Sequence, residues 1–342
     1  MSKNFKEKDP ESDIVISSRV RMARNIESVS FPHYLDKEEA KNVIDRVYDT
    51  ITKGHLCIQN EFKLIKMDEI DLIERSNYVE KHLISPALAK NVSGGAFLIN
   101  NEETISIMIN EEDHIRIQCL YPGLQLERCF DMADKIDDLL EEGIVYAFDE
   151  QLGYLACCPT NIGTGVRTSV MLHLPALSLT GYINGVISTA GKIGLAVRGI
   201  FGEGTEYLGD IYQISNQITL GMSEEEIINN LKDVSLQIIQ NERIAWERLL
   251  DNKGIELEDR VFRSYGTLKN ARLLSSKEAM QLISDVKLGV NLKLIDGIST
   301  ERLNELITMI QPGYLQKHFK SQLTGVERDI KRAQLVRENI LQ

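Results

Sequence analysis

Cys158-Pro159-Thr160-Asn161-Ile162-Gly163-Thr164-Gly165-Val166-Arg167 is the stretch on which the reading of this chain turns. It sets a thiol, a rigid turn, two glycines and a cation close together. Pro159 fixes its own φ and pushes Cys158 toward extended geometry, while Gly163 and Gly165 admit backbone angles or close contacts that a Cβ forbids. The apolar positions that follow, Val170, Met171, Leu172 and Leu174, predict a helix. Arg167 and Thr168 then fall at its first turn, where free amides and the helix dipole favour an anion. On spacing alone two readings stay open: a catalytic loop that handles something phosphorylated, or a plain connection between a strand and a helix.

Working outward, 342 residues at 43% hydrophobic content suffice for a sizeable core and predict two domains. The formal net charge of −12 argues against a general nucleic-acid or membrane binder, because a phosphate surface would be repelled. Any phosphate site must then be a local cluster of arginines. The first ten residues lack an apolar signal core, and the most apolar later run is broken by His173 and Pro175, so a cytoplasmic protein is expected. Cysteines at 57, 119, 129, 157 and 158 form no CxxC pair and leave an odd one, which indicates neither a zinc site nor a disulfide framework.

After a charged tail over residues 1–12, Asp13 to Met22 alternates as a strand. The period of two puts Arg19 and Arg21 on one face, as clamps for one polyphosphate or as a solvated face. Asp36 to Lys53 has helical apolar spacing, and the segment from there to Lys90 reads as mostly helical with a break at Ser85-Pro86. Gly94-Gly95 opens a β-rich block, Ala96–Asn100 and Thr104–Ile109, which runs into Asn110-Glu-Glu-Asp-His-Ile-Arg116. Alternation carried backwards through this run puts Glu112 on the side of Arg116. Leu124 to Glu142 is an amphipathic helix ended by Gly143, and Tyr146 to Cys158 reads as a hairpin around Gly153.

Two short helices split near Gly181 and a strand Leu195–Arg198 precede a loop to Gly209 that carries four glycines around two carboxylates. It reads as a mobile loop or a long hairpin. A strand over Tyr207–Thr219 follows. Ser223-Glu-Glu-Glu226 is a capping box that opens a helix to about Leu250, and Asp251-Asn-Lys-Gly254 reads as a break. The boundaries expected are 13–252 for the first domain and 253–342 for an almost wholly helical second one. Composition and pattern give an α+β class and no more.

These stretches together resemble the ATP:guanidino phosphotransferases, the family of arginine and creatine kinases, and most of all its bacterial protein-arginine kinase branch. Cys-Pro-Thr-Asn-Ile-Gly-Thr, Asn-Glu-Glu-Asp-His-x-Arg and Ser-x-Arg-x-Arg at Ser17, Arg19 and Arg21 carry the likeness, which covers about residues 13 to 250. The resemblance implies a large antiparallel sheet flanked by helices, ATP with Mg2+ as cofactors, and Glu112, Cys158 and Glu203 as catalytic residues. Nucleotide contacts are implied for Ser17, Ser18, Arg19, Val20, Arg21, His82 and Arg116, for Arg167, Thr168, Ser169, Val170 and Met171, and for Arg198, Gly199, Ile200, Phe201, Gly202 and Glu203. Magnesium would be held through nucleotide oxygens and water, with no protein metal ligands.

In the tail, Arg328-Asp329-Ile-Lys-Arg332-Ala333 matches a motif by which the bacterial branch recognises phosphoarginine, although a charged helix face is the usual explanation of such spacing. Arginine and creatine kinases carry a helical domain before the first arginine strand, and here only a short tail stands there. An open acceptor site and arginine on a protein substrate are implied. The alternatives are a metabolic kinase for free arginine and a non-catalytic phosphoarginine adaptor. The resemblance further implies a bacterial stress response and protein quality control. Its partners there are a zinc-containing activator protein, a heat-shock repressor and the Clp unfoldase-protease, and the chain is expected to be a homodimer or higher homo-oligomer.

Overall fold

The alternation of the first strand is realised: β1 spans Val15–Arg24, with Val20 and Met22 fully buried and Arg19 and Arg21 turned to the other side. In the computed structural model, which describes residues 9–53, 61–200 and 207–340, β1 lies near the middle of an eight-stranded sheet. Numbered in chain order, its other strands are β2 (Phe62–Lys66), β3 (Ala96–Asn100), β4 (Ile105–Ile109), β5 (Ile115–Pro122), β8 (Val166–His173), β9 (Leu195–Arg198) and β10 (Ile211–Asn216). The order across the sheet is β2-β3-β4-β5-β1-β8-β10-β9, and neighbouring strands run antiparallel. A separate two-residue ladder joins β6 (Phe148–Asp149) to β7 (Gly153–Tyr154), the hairpin expected around Gly153.

Three expectations change. The run after Gly165 is strand β8, not a helix. Val166, Thr168 and Val170 are β-branched, and because β8 lies between β1 and β10, residues of both parities are buried from Thr168 to His173, so the run Val170-Met171-Leu172 shows no alternation and mimics a buried helix. The helix begins only at Pro175, which occupies the first turn of α5 (Pro175–Leu179). Residues before Lys90 include β2, a five-residue edge strand whose Lys63 and Lys66 leave too little apolar pattern to recognise. The helix that opens at Ser223 does not stop near Leu250. Helix α7 runs Glu224–Asn270, bends at Lys253, where φ is −141°, and carries on, so the expected break is a kink.

One face of the sheet is covered by helices α1 (Lys37–Lys53) and α4 (Leu126–Glu141) against β1, β4 and β5. Helices α5, α6 (Ile183–Lys192) and α7 cover the same face over β8, β10 and β9. The opposite face is closed over β3 and β4. There α2 (Leu72–Glu80) and α3 (Pro86–Lys90) pack Tyr78, Leu83, Ile84 and Leu88 onto Phe97, Ile99 and Met108 of β3 and β4. The chain ends in α8 (Ser276–Asn291), α9 (Thr300–Met309), α10 (Pro312–Phe319) and α11 (Gly325–Ile340). Ser223 makes both halves of a capping box with Glu226, and Ser275 accepts from the Glu278 N–H as expected at the start of α8. Among the described residues no helix is long and apolar enough to cross a membrane.

Candidate active site

Cross-strand register brings five arginines from four strands onto one patch. Arg21 lies opposite Arg167 of β8 on one side and Gln118 of β5 on the other, Arg116 precedes Gln118 by two residues, and Gln213 of β10 lies opposite Arg198 of β9. Residues opposite each other in antiparallel strands share a face, so Arg19, Arg21, Arg116, Arg167 and Arg198 all point away from the helix-covered core. With His82 they line a cavity of about 220 Å³. A larger cavity of about 480 Å³ between α6 and α7 contains Arg248 as its single charged side chain and carries no comparable chemistry.

The patch crowds like charges together. Burial and then the charges of Arg116 and Arg198 lower the pKa of Arg19 to about 10, and burial and then Arg19, Arg116 and Arg167 lower Arg21 well below the ordinary arginine value. Arg19 is tied down by Nε donating to Ser169 Oγ at 3.2 Å and Nη2 to Gln213 Oε1 at 3.1 Å. The buried Nε groups of Arg21 and Arg167 have no hydrogen-bond partner. Buried donors and crowded like charges are the state that a polyphosphate relieves. His82, at the wall, has its pKa pushed to about 3 by burial and then by Arg19, so it faces the cavity as a neutral ring.

The Asn110–Arg116 run is built as a hub, and it divides its two glutamates differently from the strand-alternation expectation. Asn110 adopts a left-handed φ of 56° and its amide donates to Ala40 O and Gly94 O, which ends β4 and turns the chain away from strand geometry. Alternation therefore does not extend back to Glu112. Arg116 pairs with Glu111 at 2.7 Å, and Ser85 Oγ donates to the other oxygen of Glu111. Glu112 is exposed; partial desolvation, then Asp113 and Glu111 beside it, raise its pKa above the usual carboxylate value. Asp113 accepts from Asn25 Nδ2 and from Cys157 N, both at 2.7 Å, which locks the Glu112 turn to the cysteine loop. His114 is a scaffold: Nδ1 accepts from Ile26 N and Nε2 faces Ser30 O at 2.8 Å, an arrangement matched by the neutral Nε2–H form that burial favours.

Cys158 precedes a single 3-10 turn, Pro159–Asn161, rather than lying beside an α-helix start. Its Sγ lies 3.1 Å from Thr160 Oγ1, to which Arg167 Nη2 donates at 2.8 Å. The thiol and the arginine patch thus meet at one hydroxyl. Gly163 and Gly165 are required for sterics: at φ 110° and 68°, a Cβ would stand 2.4 Å from Thr219 O and 2.6 Å from Ala23 O respectively.

Of the expected nucleotide residues, Ser17, Ser169 and Met171 line a narrow recess beside the cavity that they share with Arg19 and His82, and buried Ile200 lines the cavity itself, preceded by buried Gly199. Ser18, Val20, Thr168 and Val170 are on the opposite face, because strand side chains alternate: Ser18 donates to Gly123 O, Thr168 bonds Asn216, and the two valines are core. Phe201, Gly202 and Glu203 lie outside the described residues. In α11 the side chain of Arg332 is buried, Nε donating to Ile310 O and Nη1 to Leu274 O and Asp329; Ala333 is buried, and half-buried Arg328 donates to Leu323 O. Glu111, Ser85, Gln118 and Gln213 are participants that the motif reading missed. Gln118 and Gln213 are reachable by counting twos from Arg116 and along β10, whereas the contact of Ser85 with Glu111 leaves no mark in the sequence.

The family model described as ATP:guanido phosphotransferase, C-terminal catalytic domain, matches residues 42–245, and the one described as Protein-arginine kinase McsB C-terminal domain matches residues 254–342. The chain belongs to the ATP:guanido phosphotransferases. A protein-arginine kinase of Geobacillus sp. (strain WCH70) is 54% identical over 331 residues, covering 97% of this chain and 91% of the relative. One from Bacillus subtilis (strain 168) is 51% identical over 340 residues, covering 99% and 93%. Among solved ATP:guanido phosphotransferase folds, a lombricine kinase aligns with a TM-score of 0.59 at 25% identity over 71% of this chain and 73% of that one. The duplicated taurocyamine kinase from Schistosoma mansoni aligns at 0.61 and 22% over 78% and 40%, a likeness of fold. The phosphagen-kinase fold expected from sequence, an antiparallel sheet with flanking helices and a helical C-terminal part, is the fold observed.

Proposed function

We propose that this ATP:guanido phosphotransferase is a protein-arginine kinase, moving the γ-phosphoryl group of ATP to the guanidinium of arginine side chains in proteins. The observation that carries this reading is the five-arginine patch with the unpartnered Nε donors of Arg21 and Arg167, edged by Glu112 and Cys158. Identity above one half to protein-arginine kinases, spanning both parts of the chain, selects the acceptor. Arg19, Arg21, Arg116, Arg167 and Arg198 hold the polyphosphate in line and balance charge on the transferring group. The acceptor is itself a cation with a very high pKa, so a carboxylate has to orient it and take its proton. Glu112 is the carboxylate not committed to an arginine of the patch, and its raised pKa suits a group that receives a proton. Glu203 is proposed as a second carboxylate on the acceptor and Cys158 as a thiolate beside it.

Among the described residues no three His, Cys, Asp or Glu side chains converge on a metal position. Mg2+ is proposed to be carried by nucleotide oxygens and to supply charge neutralisation of the phosphates. The division of labour proposed is 13–252 for catalysis and 253–342 for a helical part in which Arg328, Asp329, Arg332 and Ala333 take phosphoarginine. Cytoplasmic work in a stress response with an activator, a repressor and a Clp unfoldase-protease, and homo-oligomerisation, are proposed on the strength of the family resemblance.

The test is incubation with ATP, Mg2+ and a basic protein, with mass spectrometry under conditions that spare the acid-labile P–N bond. Phosphate on arginine side chains is expected. Phosphate on free arginine alone would return the chain to the metabolic kinases, and no ATP turnover at all would leave a non-catalytic adaptor.

A further inference from the structure

The nucleotide cavity has one wall that does not come from the sheet. Val79, His82, Ile84, Ser85 and Pro86, the end of α2 and the turn after it, form that wall. His82 sits there in a left-handed conformation with φ 59°, which costs energy for a residue with a Cβ and persists where neighbours over-determine it. Its N–H donates to Val79 O at 2.9 Å and its carbonyl accepts from Gln118 Nε2 at 2.7 Å. Two residues earlier, Glu80 leaves α2 in the other direction. Its two carboxylate oxygens accept the backbone N–H groups of Gly313 and Tyr314, at 2.7 and 2.8 Å, capping the first turn of α10 more than 230 positions along the chain.

This contact has no slack. A Cβ on Gly313 would stand 2.8 Å from Glu80 Oε2 and 2.9 Å from Asn77 N, so the two helices meet backbone to backbone. Lys317 pairs with Glu74 at 3.1 Å one turn further on. On its far side the start of α10 is fixed by buried Arg332, whose Nε donates at 2.7 Å to Ile310 O, two residues before Pro312. A chain of direct contacts thus runs from α11 through α10 and Glu80 to the His82 wall.

We propose that Glu80 is a positioning residue for nucleotide binding, through which α10 holds the end of α2, and with it His82, against the arginine patch. The inference rests on the reading of that cavity as the nucleotide site. It makes the C-terminal helices part of the ATP site without touching ATP, and it predicts that loosening α10 is felt in nucleotide affinity ahead of acceptor affinity or chemistry.

The experiment uses the full chain, a fluorescent ATP analogue for equilibrium binding, and steady-state kinetics in which ATP and protein substrate are varied separately. Glu80→Ala is expected to weaken ATP binding about tenfold, the size of one charge-assisted contact. Its KM for the protein substrate and its kcat should stay within about twofold. Glu80→Gln keeps one acceptor oxygen and its shape, and should fall between Glu80→Ala and wild type. Gly313→Ala, in the distant partner, should weaken ATP binding in the same way, and combining it with Glu80→Ala should cost no more than the worse single change, because both break one contact. ATP affinity within about twofold of wild type in Glu80→Gln and Gly313→Ala, whatever their melting temperatures, reduces the contact to a brace and overturns the proposal. A wild-type chain that binds ATP but phosphorylates no protein leaves it standing and removes the kinase reading; one that binds no nucleotide removes both.

Discussion

Arg116 donates to Glu111 Oε2 at 2.7 Å, and the next carboxylate along, Glu112, stands outside that pair. Two adjacent and chemically equal side chains thereby differ: one is spent on aiming an arginine, and the other is the one proposed to meet the acceptor. Burial alone would raise Glu111, but Arg116 and Ser85 together hold its carboxyl below the usual carboxylate value, while Glu112 is raised. Glu112→Gln should abolish phosphoryl transfer with ATP affinity nearly unchanged. Glu111→Gln should weaken ATP binding by about 1.5–3 kcal/mol, since it frees Arg116 from its charged partner. Calorimetry on both variants decides it: equal losses of ATP affinity would mean that the two glutamates are not divided in this way.

The arginine patch is held together against its own repulsion, so removing one member should help the empty protein. Arg21→Met is expected to stabilise the ligand-free fold, by about 1–4 kcal/mol, and to erase the rise in Tm that ATP gives the wild type. A variant that is less stable without nucleotide would show that the patch is compensated by contacts not recognised above.

Cys158 is half-buried beside Thr160, whereas Cys119 and Cys129 are sealed in the core, their thiols pushed up by burial to above the ordinary range and to about 12. Cys157 is raised as well, by burial and then by Asp113. Iodoacetamide should therefore label Cys158 ahead of these three, with loss of activity that ATP slows. Peptide mapping that finds Cys157 labelled first with activity intact would take Cys158 out of the site.

Glu242 offers an optical test. It is buried, accepts from Ala176 N, Leu177 N and Trp246 Nε1, and burial raises its pKa to about 7 despite those three donors. Trp246 is the chain's single tryptophan. A folded pKa above the unfolded value means that the folded state binds the extra proton between about pH 4.5 and 7. The contribution is complete below that window and is lost as pH rises through about 7, on the order of 3 kcal/mol in all. Tryptophan fluorescence of the folded protein should titrate near neutrality, and Glu242→Gln should flatten both that titration and the decline in stability. An unchanged titration in the variant assigns it elsewhere.

In the tail, the two arginines of the proposed phosphoarginine motif differ in burial, which separates recognition from folding. Arg332→Ala strips a buried guanidinium from Ile310 O, Leu274 O and Asp329 and should cost about 3–5 kcal/mol in chemical denaturation. Arg328→Ala removes one half-buried contact, to Leu323 O, and should cost about 1 kcal/mol or less while still weakening phosphoarginine binding. Full phosphoarginine affinity in Arg328→Ala, measured with the catalytic site blocked, would leave the motif a structural one.

The sequence was most legible where one periodicity governs. Arg19 and Arg21 on a strand face, the capped start at Ser223 and the hairpin at Gly153 all follow from spacing and local chemistry. It was least legible where tertiary burial hides the period, as in β8, where residues of both parities are buried and the apolar run reads as a helix. The placement of Glu111 on Arg116 depends on the left-handed turn at Asn110, and no alternation rule survives such a turn. Ser18, Val20, Thr168 and Val170 show the converse: they stand within matched motifs, yet strand parity turns them into the core.

That parity constrains how such a chain can change over generations. From Ser17 onward β1 keeps an unbroken register with β5, and its irregularity against β8, between Val15 and Ser17, falls before the first arginine. Loss of the codon for Ser17 or Ser18 would shift the rest of the strand by one and exchange its two sides, driving Arg19 and Arg21 toward α4 and presenting Val20 and Met22 to the cavity. Point changes can be sampled one at a time in these strands, whereas changes of length there meet a cliff. Insertions and deletions in this lineage should therefore collect in the connections, such as the turn between β6 and β7, and leave the lengths of β1, β5 and β8 fixed.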